Sequence, residues 1–439
     1  MKAEEFFNQA HSDLVQGDFQ NALQNCQAGL RQQAHPAGWH LLALIQRQLQ
    51  GPQAALAALE QAFKMTVSKM TAGDLAANSD ANLTAELHNS QGNLLSEIGD
   101  LPQAKQAYTN ALALRPDYGL VWLNLARLCE DMGDLPQALE AYLGLLALEP
   151  NQPAALLGAA EILRRQGAWP EAERYYQQGL QLPDLEPQAA ARFWTQSGVL
   201  RHDQGQLKAA EQAHRQALQL APDLADAWFN LGSVLQEKGD FQSAHNSYQA
   251  ALQTEPELAE AQLNLALLNL AAENWSEGFA GLSWRQRCMD WRGQIPMPLW
   301  QGESLAQKTL LVESEYGQGD ILLFLRFLKG VPAAQILLRC HARFKPLIEQ
   351  EMMDQEPRIK VLLPHESASW DLAIRLFDLP DRLKLTPLDC PPPYLSLAEP
   401  AKQNTARARR IGFCWHGQPP EQHPLPTAQR MAARKTLPL

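Results

Sequence analysis

The sequence predicts an α-solenoid of stacked helix pairs, followed by an α/β domain built on a parallel, Rossmann-like sheet. Three observations carry this expectation. Seven alanines recur at a spacing near 34 residues, Gly-Asp turns fall between them, and past residue 285 helical periodicity gives way to short apolar runs alternating with helices.

The alanines are Ala22, Ala55, Ala104, Ala138, Ala172, Ala210 and Ala244, separated by 33, 49, 34, 34, 38 and 34 residues. Self-similarity at this period means an array in which each helix pair buries its apolar face only against its neighbours. Each unit reads as helix A, a tight turn and helix B. A glycine at Gly99, Gly133 or Gly239 can take positive φ, and the following Asp100, Asp134 or Asp240 can cap the next helix. Pro116, Pro150, Pro222 and Pro256 end B helices. The alanine allows close helix approach, and in several copies an aromatic side chain four residues later packs one turn away.

Two steps depart from the period. The 49-residue step holds Thr66–Leu83, expected as an extended loop or a lengthened helix; the 38-residue step holds the insertion Pro183–Pro187. A degenerate eighth unit occupies 259–284, with Gly278 in place of the alanine and Trp275, Phe279 and Trp284 adding bulk. Terminal repeats that meet a different domain are expected to diverge in this way.

Residues 225–258 display the pattern most fully, in Trp228, Leu231, Gly232, Ala244, Tyr248, Ala251 and Pro256. They resemble the tetratricopeptide repeat (TPR), which implies a TPR array over 1–284 and a protein or peptide partner in the groove lined by the A helices. Asn124, Asn230 and Asn264 share one A-helix position and could hold the backbone of an extended peptide, since an amide both donates and accepts. A TPR asparagine ladder does this in protein O-GlcNAc transferases. Here Ser90, Gly158 and Gln196 interrupt the row. The alternative is that these asparagines only satisfy local backbone groups and solvent.

Composition narrows the function classes. At 439 residues, with 46% hydrophobic and 19% charged residues and mean hydropathy −0.32, the chain reads as folded and soluble. No apolar run approaches the roughly 18 residues of a membrane span. The opening Met1-Lys2-Ala3-Glu4-Glu5 lacks the basic region of a secretory signal, and six scattered cysteines read as free thiols, so a cytoplasmic setting is expected. Net charge is −11, and residues 1–284 carry 32 acidic against 16 basic residues. That acidity argues against nucleic acid as the main partner. The 21 basic against 16 acidic residues beyond 284 leave room for an anionic small molecule.

In the C-terminal part, Thr309–Glu313, Gln335–Arg339, Ile359–Leu363 and Arg410–Trp415 read as strands. Ile321–Gly330 and Arg343–Met353 read as helices, and Ser369–Leu379 as a segment near the sheet edge stopped at Pro380. Strands alternating with helices imply a parallel sheet. The turn Ser314–Asp320 lies at the carboxyl end of a strand, where open α/β sheets bind ligands. It lacks the Lys-Ser/Thr pair of a P-loop and the third glycine of a dinucleotide cradle. Glu313, Glu315 and Asp320 suit hydroxyl recognition and proton abstraction; the alternative is a tight turn with solvated acids. Cys340-His341 and Cys414-x-His416 with His423 lack metal-site spacing, and no metal is expected. The eleven tryptophans fall mostly at repeat or domain-seam positions, where core packing explains them better than stacking on sugar.

Residues 284–439 resemble the catalytic region of bacterial TPR-linked glycosyltransferases related to the heptosyltransferases of GT-B fold. The resemblance rests on Trp284-x-x-Arg287, Pro298-Leu299-Trp300-x-Gly302-Glu303, Glu315-x-Gly317-x-Gly319-Asp320, Pro393-Tyr394-Leu395, Ile411–Gly417 and Lys435–Leu439. It implies inverting transfer from a nucleotide-sugar with no cofactor. Asp320 would be the base on the acceptor hydroxyl, with Glu315, Gly317, Gln318 and Gly319 shaping the acceptor pocket. It also implies a first Rossmann-like domain at 285–400 and the opening of a second at 401–439. Most donor contacts of that second domain are missing, leaving His416, Gly417, Gln418 and Lys435 for the donor phosphates. The expectation is therefore a TPR arm on a truncated glycosyltransferase, or a non-catalytic TPR scaffold whose α/β part is structural.

Overall fold

A computed structural model describes residues 2–71, 79–288, 298–314, 318–351 and 356–390. The chain divides into two compact units, 1–200 and 201–439.

In the first unit the helices pair as α1 (Ala3–Val15) with α2 (Phe19–Gln32), and α3 (Pro36–Gln50) with α4 (Pro52–Thr71). Next come α5 (Ser79–Ile98) with α6 (Leu101–Leu114), α7 (Gly119–Asp131) with α8 (Leu135–Leu148), and α9 (Pro153–Arg165) with α10 (Trp169–Leu180). The unit closes in α11 (Pro187–Asp203). The long step is made by lengthened helices: α4 and α5 have 20 residues each, and 72–78 lie outside the described residues. Of the Pro183–Pro187 insertion, 183–186 fall between α10 and α11 and Pro187 opens α11.

The turns follow from residue chemistry. Gly99 and Gly133 sit at φ 89 and 74, where a Cβ is costly. The next residue, Asp100 or Asp134, accepts the backbone N–H of Gln103 or Gln137. All seven repeat alanines, in both units, are fully buried.

The second unit holds α12 (Leu207–Leu220), α13 (Ala225–Lys238) with α14 (Phe241–Thr254), and α15 (Ala259–Ala271) with α16 (Trp275–Gly281). After α17 (Arg285–Cys288) come β1 (Thr309–Glu313), α18 (Gln318–Phe324), β2 (Gln335–Arg339), α19 (Lys345–Glu351), β3 (Ile359–Leu362), β4 (Leu372–Arg375) and α20 (Leu379–Leu383). Pairing is parallel throughout, in the order β3-β2-β1-β4.

Three expectations shift. Gln318–Asp320 belong to α18 and not to the turn before it, and the helix tightens to a 3₁₀ form over Leu325–Gly330. The edge segment contains a true strand, β4, paired with β1. Pro380 lies in the first turn of α20, because a proline lacking N–H fits a helix start as well as a helix end. The strand expected at 410–415 lies outside the described residues.

Residue 284, the expected end of the array, lies inside this unit, and repeat and sheet share one core. Leu263, Phe279 and Leu282 join Leu310, Val312, Ile336, Leu338 and Ile374 on one sheet face. Phe279 meets Phe324 and Phe327 edge-on at 6.1 and 5.8 Å. Gly278, in the alanine position, lets α16 approach α15; a Cβ there would lie 2.6 Å from Leu270 Cγ. Arg285, 5% exposed, donates to Leu282 O at 2.6 Å and to the Asp378 carboxylate at 2.7 Å. Of the basic residues after Trp284, the expected landmark Arg287 pairs on the surface with Glu257, and Arg285 holds the join.

Candidate functional site

Asn124 on α7 donates its amide to Asn89 Oδ1 at 3.1 Å and Asn93 Oδ1 at 3.2 Å, both on α5. Tyr108 Oη donates to the same Asn93 oxygen at 2.7 Å. On the other side of α5, Ser90 Oγ lies 2.7 Å from His40 Nε2 of α3. A polar strip thus crosses three successive A helices of the first unit, with His40, Ser90, Asn93 and Asn124 all half-buried. Burial lowers the His40 pKa, so the imidazole is neutral and keeps one accepting nitrogen.

The row breaks at Gly158. The Tyr142 ring takes up the space there, its Cζ 2.3 Å from where a Cβ would stand, whereas Asn264 shares the equivalent space with Tyr248 and bonds its hydroxyl. Farther along α9, Glu161 is taken up by Arg164 and Arg165. In the second unit Asn230 is half-buried, and its amide has no hydrogen-bond partner among the described residues. Asn264 is 5% exposed and donates to Tyr248 Oη at 3.2 Å, which itself donates to Gln236. Its amide therefore serves the core.

The sheet carries a second cluster. Glu313, Arg339 and Arg375 end β1, β2 and β4 in register, on the face of Leu311, Leu337 and Ala373. Glu313 accepts from Arg339 at 3.1 Å, and Arg339 lies over the Trp370 ring at 5.3 Å. Burial pushes the Glu313 carboxyl above its usual range, opposed by the two guanidiniums. Sequence reading singled out Glu313 but neither arginine; the signal was an arginine as the last residue of two apolar strands.

Gln318, Gly319 and Asp320 open α18 just beyond the carboxyl end of β1. Glu315, Gly317, His416, Gly417, Gln418 and Lys435 lie outside the described residues. Burial raises the Cys340 thiol to about 11, unsuited to act as a nucleophile. No group of three or more His, Cys, Asp or Glu placed to hold a metal occurs among the described residues.

Models of the tetratricopeptide-repeat family match residues 97–146, 130–190, 198–239 and 225–258. The chain carries tetratricopeptide repeats. No curated protein matches it. Among solved structures, MamA shares 20% identity over 38% of this chain and 96% of its own, with a TM-score of 0.34. PilF of Pseudomonas aeruginosa shares 18% over 47% of this chain and 93% of its own, with a TM-score of 0.41. YrrB, described as a TPR protein with an unusual peptide-binding site, shares 21% over 41% and 91%, with a TM-score of 0.31. Among the described residues, no TPR helix or other helix is long and apolar enough to cross a membrane.

Proposed function

We propose that the chain is a protein-interaction module whose TPR array holds an extended peptide on the A-helix face. The observation supporting this is the strip His40, Ser90, Asn93 and Asn124, which sets hydroxyl, imidazole and amide groups across three successive A helices. Such groups both donate and accept, as a peptide backbone requires. Asn230 offers the same chemistry in the second unit. Scattered free thiols support a reducing, cytoplasmic setting. Pull-down of partners with Asn124→Ala and Asn230→Ala tests the reading, and unchanged recovery would sink it.

A second reading rests on the sheet. The order β3-β2-β1-β4 is that of the first four strands of a doubly wound fold, whose ligands sit beyond the carboxyl ends where the order reverses, here between β1 and β4. Asp320 follows β1 at that end. In a glycosyltransferase of the GT-B kind it would take the proton of an acceptor hydroxyl, with Glu315 and Gly317–Gly319 around it. His416, Gly417, Gln418 and Lys435 would meet the nucleotide-sugar phosphates. Nucleotide-sugar hydrolysis by the native chain and by Asp320→Ala tests this, and equal rates remove the role.

A further inference from the structure

We propose that a hollow on the B-helix side of the first unit, between α8 and α10, takes a tryptophan side chain from an acidic partner peptide. This site is separate from the A-helix strip. The hollow has a volume of about 340 Å³ and is lined by Leu143 and Leu146 of α8, Leu156 of α9, and Arg174 and Gln178 of α10, among others.

The chain itself shows what fits there. One repeat earlier, 34 residues back, the place of Leu156 is held by Trp122. That indole packs into the cores on both sides, against the α6 and α8 clusters, and donates Nε1–H to Pro116 O at 2.8 Å. Gly144 opposite makes room, since a Cβ there would come within 2.9 Å of Trp122 Cε3. In the second unit Trp228 donates in the same way to Pro222 O at 2.8 Å. At the hollow, Leu156 replaces the tryptophan, Gln178 replaces Gly144, and Tyr175, half-buried in its wall, replaces Ala141. The Gln178 amide then reaches Pro150 O at 2.9 Å, taking over the hydrogen bond of the missing indole but not its volume. A groove shaped by repeat geometry for an indole is left open, with Leu143 exposed at its lip.

Charge identifies the partner. Where the filled groove carries Glu140, the hollow carries Arg174, exposed, lying 5.2 Å from the Tyr175 ring centroid and without an ion pair among the described residues. Arg174 sets a cation at the rim of an indole-sized groove, where it favours a tryptophan with a carboxylate beside it.

The test is fluorescence anisotropy of the full chain with a labelled acidic pentapeptide carrying a central tryptophan, against the same peptide with alanine there. The tryptophan peptide should bind about tenfold or more tightly, the gain from burying one aromatic side chain. Leu156→Trp with Tyr175→Ala and Gln178→Gly rebuilds the filled groove and should abolish that preference. Leu143→Arg covers the hollow from an exposed position, with the core intact, and should also abolish it; Arg174→Glu should weaken both peptides. Equal binding of the two peptides, or a preference that survives both blocking variants, overturns the proposal. Loss on Asn124→Ala with no loss on Leu143→Arg also overturns it, placing the peptide on the A-helix strip instead.

Discussion

His214 makes the array of the second unit sensitive to acid. It occupies the position held by Tyr108, Tyr142, Tyr176 and Tyr248 in other repeats, is fully buried, and has no hydrogen-bond partner at either ring nitrogen. Burial, with His202 nearby adding repulsion, lowers its pKa from 6.5 to about 3. Its unfolded form therefore binds a proton below pH 6.5 that the folded form refuses until about pH 3. The sign follows from linkage: the group has no effect above pH 6.5, and stability is lost as pH falls from there toward 3. At about 1.4 kcal/mol per pH unit, the loss reaches about 2 kcal/mol by pH 5. His214→Tyr should remove it. In Tyr142 and Tyr248 the hydroxyl donates to the residue twelve positions earlier, and for position 214 that residue is His202, already paired with Glu237 at 2.7 Å. At pH 7.5 the variant exchanges unpartnered nitrogens for a hydroxyl whose acceptor is already engaged, so the change there should be within about 1 kcal/mol. Its stability relative to the native chain should rise by about 2 kcal/mol from there to pH 5. Urea unfolding followed by far-ultraviolet circular dichroism at pH 7.5, 6.5, 5.5 and 5.0 measures this. Because His40 and the lowered carboxylates titrate equally in both proteins, the difference isolates His214. A difference that stays flat with pH refutes the reasoning.

Arg285→Ala should cost about 1–3 kcal/mol in the second unit, since partly exposed Asp378 loses its ion pair and keeps only the Gln286 amide at 3.2 Å, and urea midpoints will show it. Phe279→Ala should cost more, about 3–5 kcal/mol, by emptying the core that α16 shares with the sheet. Residues 285–390 expressed alone should then show weak amide-exchange protection, and strong protection would show that the sheet does not need the last repeats. Gly158→Ala forces a Cβ into Tyr142 and should cost about 1–3 kcal/mol, largely recovered in the double variant with Tyr142→Leu, as read from melting curves.

Much of the local order was legible because its causes act within one or two helical turns. A glycine before Asp100, Asp134 or Asp240 sets the turn and its cap wherever the helices go. The apolar runs at 309–313 and 335–339 form strands over the expected residues because a strand buried on both faces has no polar positions to blur its limits. The candidate site was less legible. The interruption at Gly158 was visible in sequence, but not that the Tyr142 ring of another helix takes up the space it leaves. Arg339 and Arg375 flank Glu313 only because register sets β2 and β4 on either side of β1.

By itself, then, the sequence determined that this protein is an array of eight helix pairs with a parallel α/β portion behind it, through periodicity, turn chemistry and strand-length apolar runs. The tertiary structure decided the rest. It made the last repeats and the sheet one core through Phe279 and an Arg285–Asp378 pair separated by 93 residues. It also assigned Asn264 to the core, Asn124 to a polar strip, and Leu156 to a groove left unfilled. Each outcome depends on which side chains neighbouring elements bring within a few ångströms, and that is set by stacking and register.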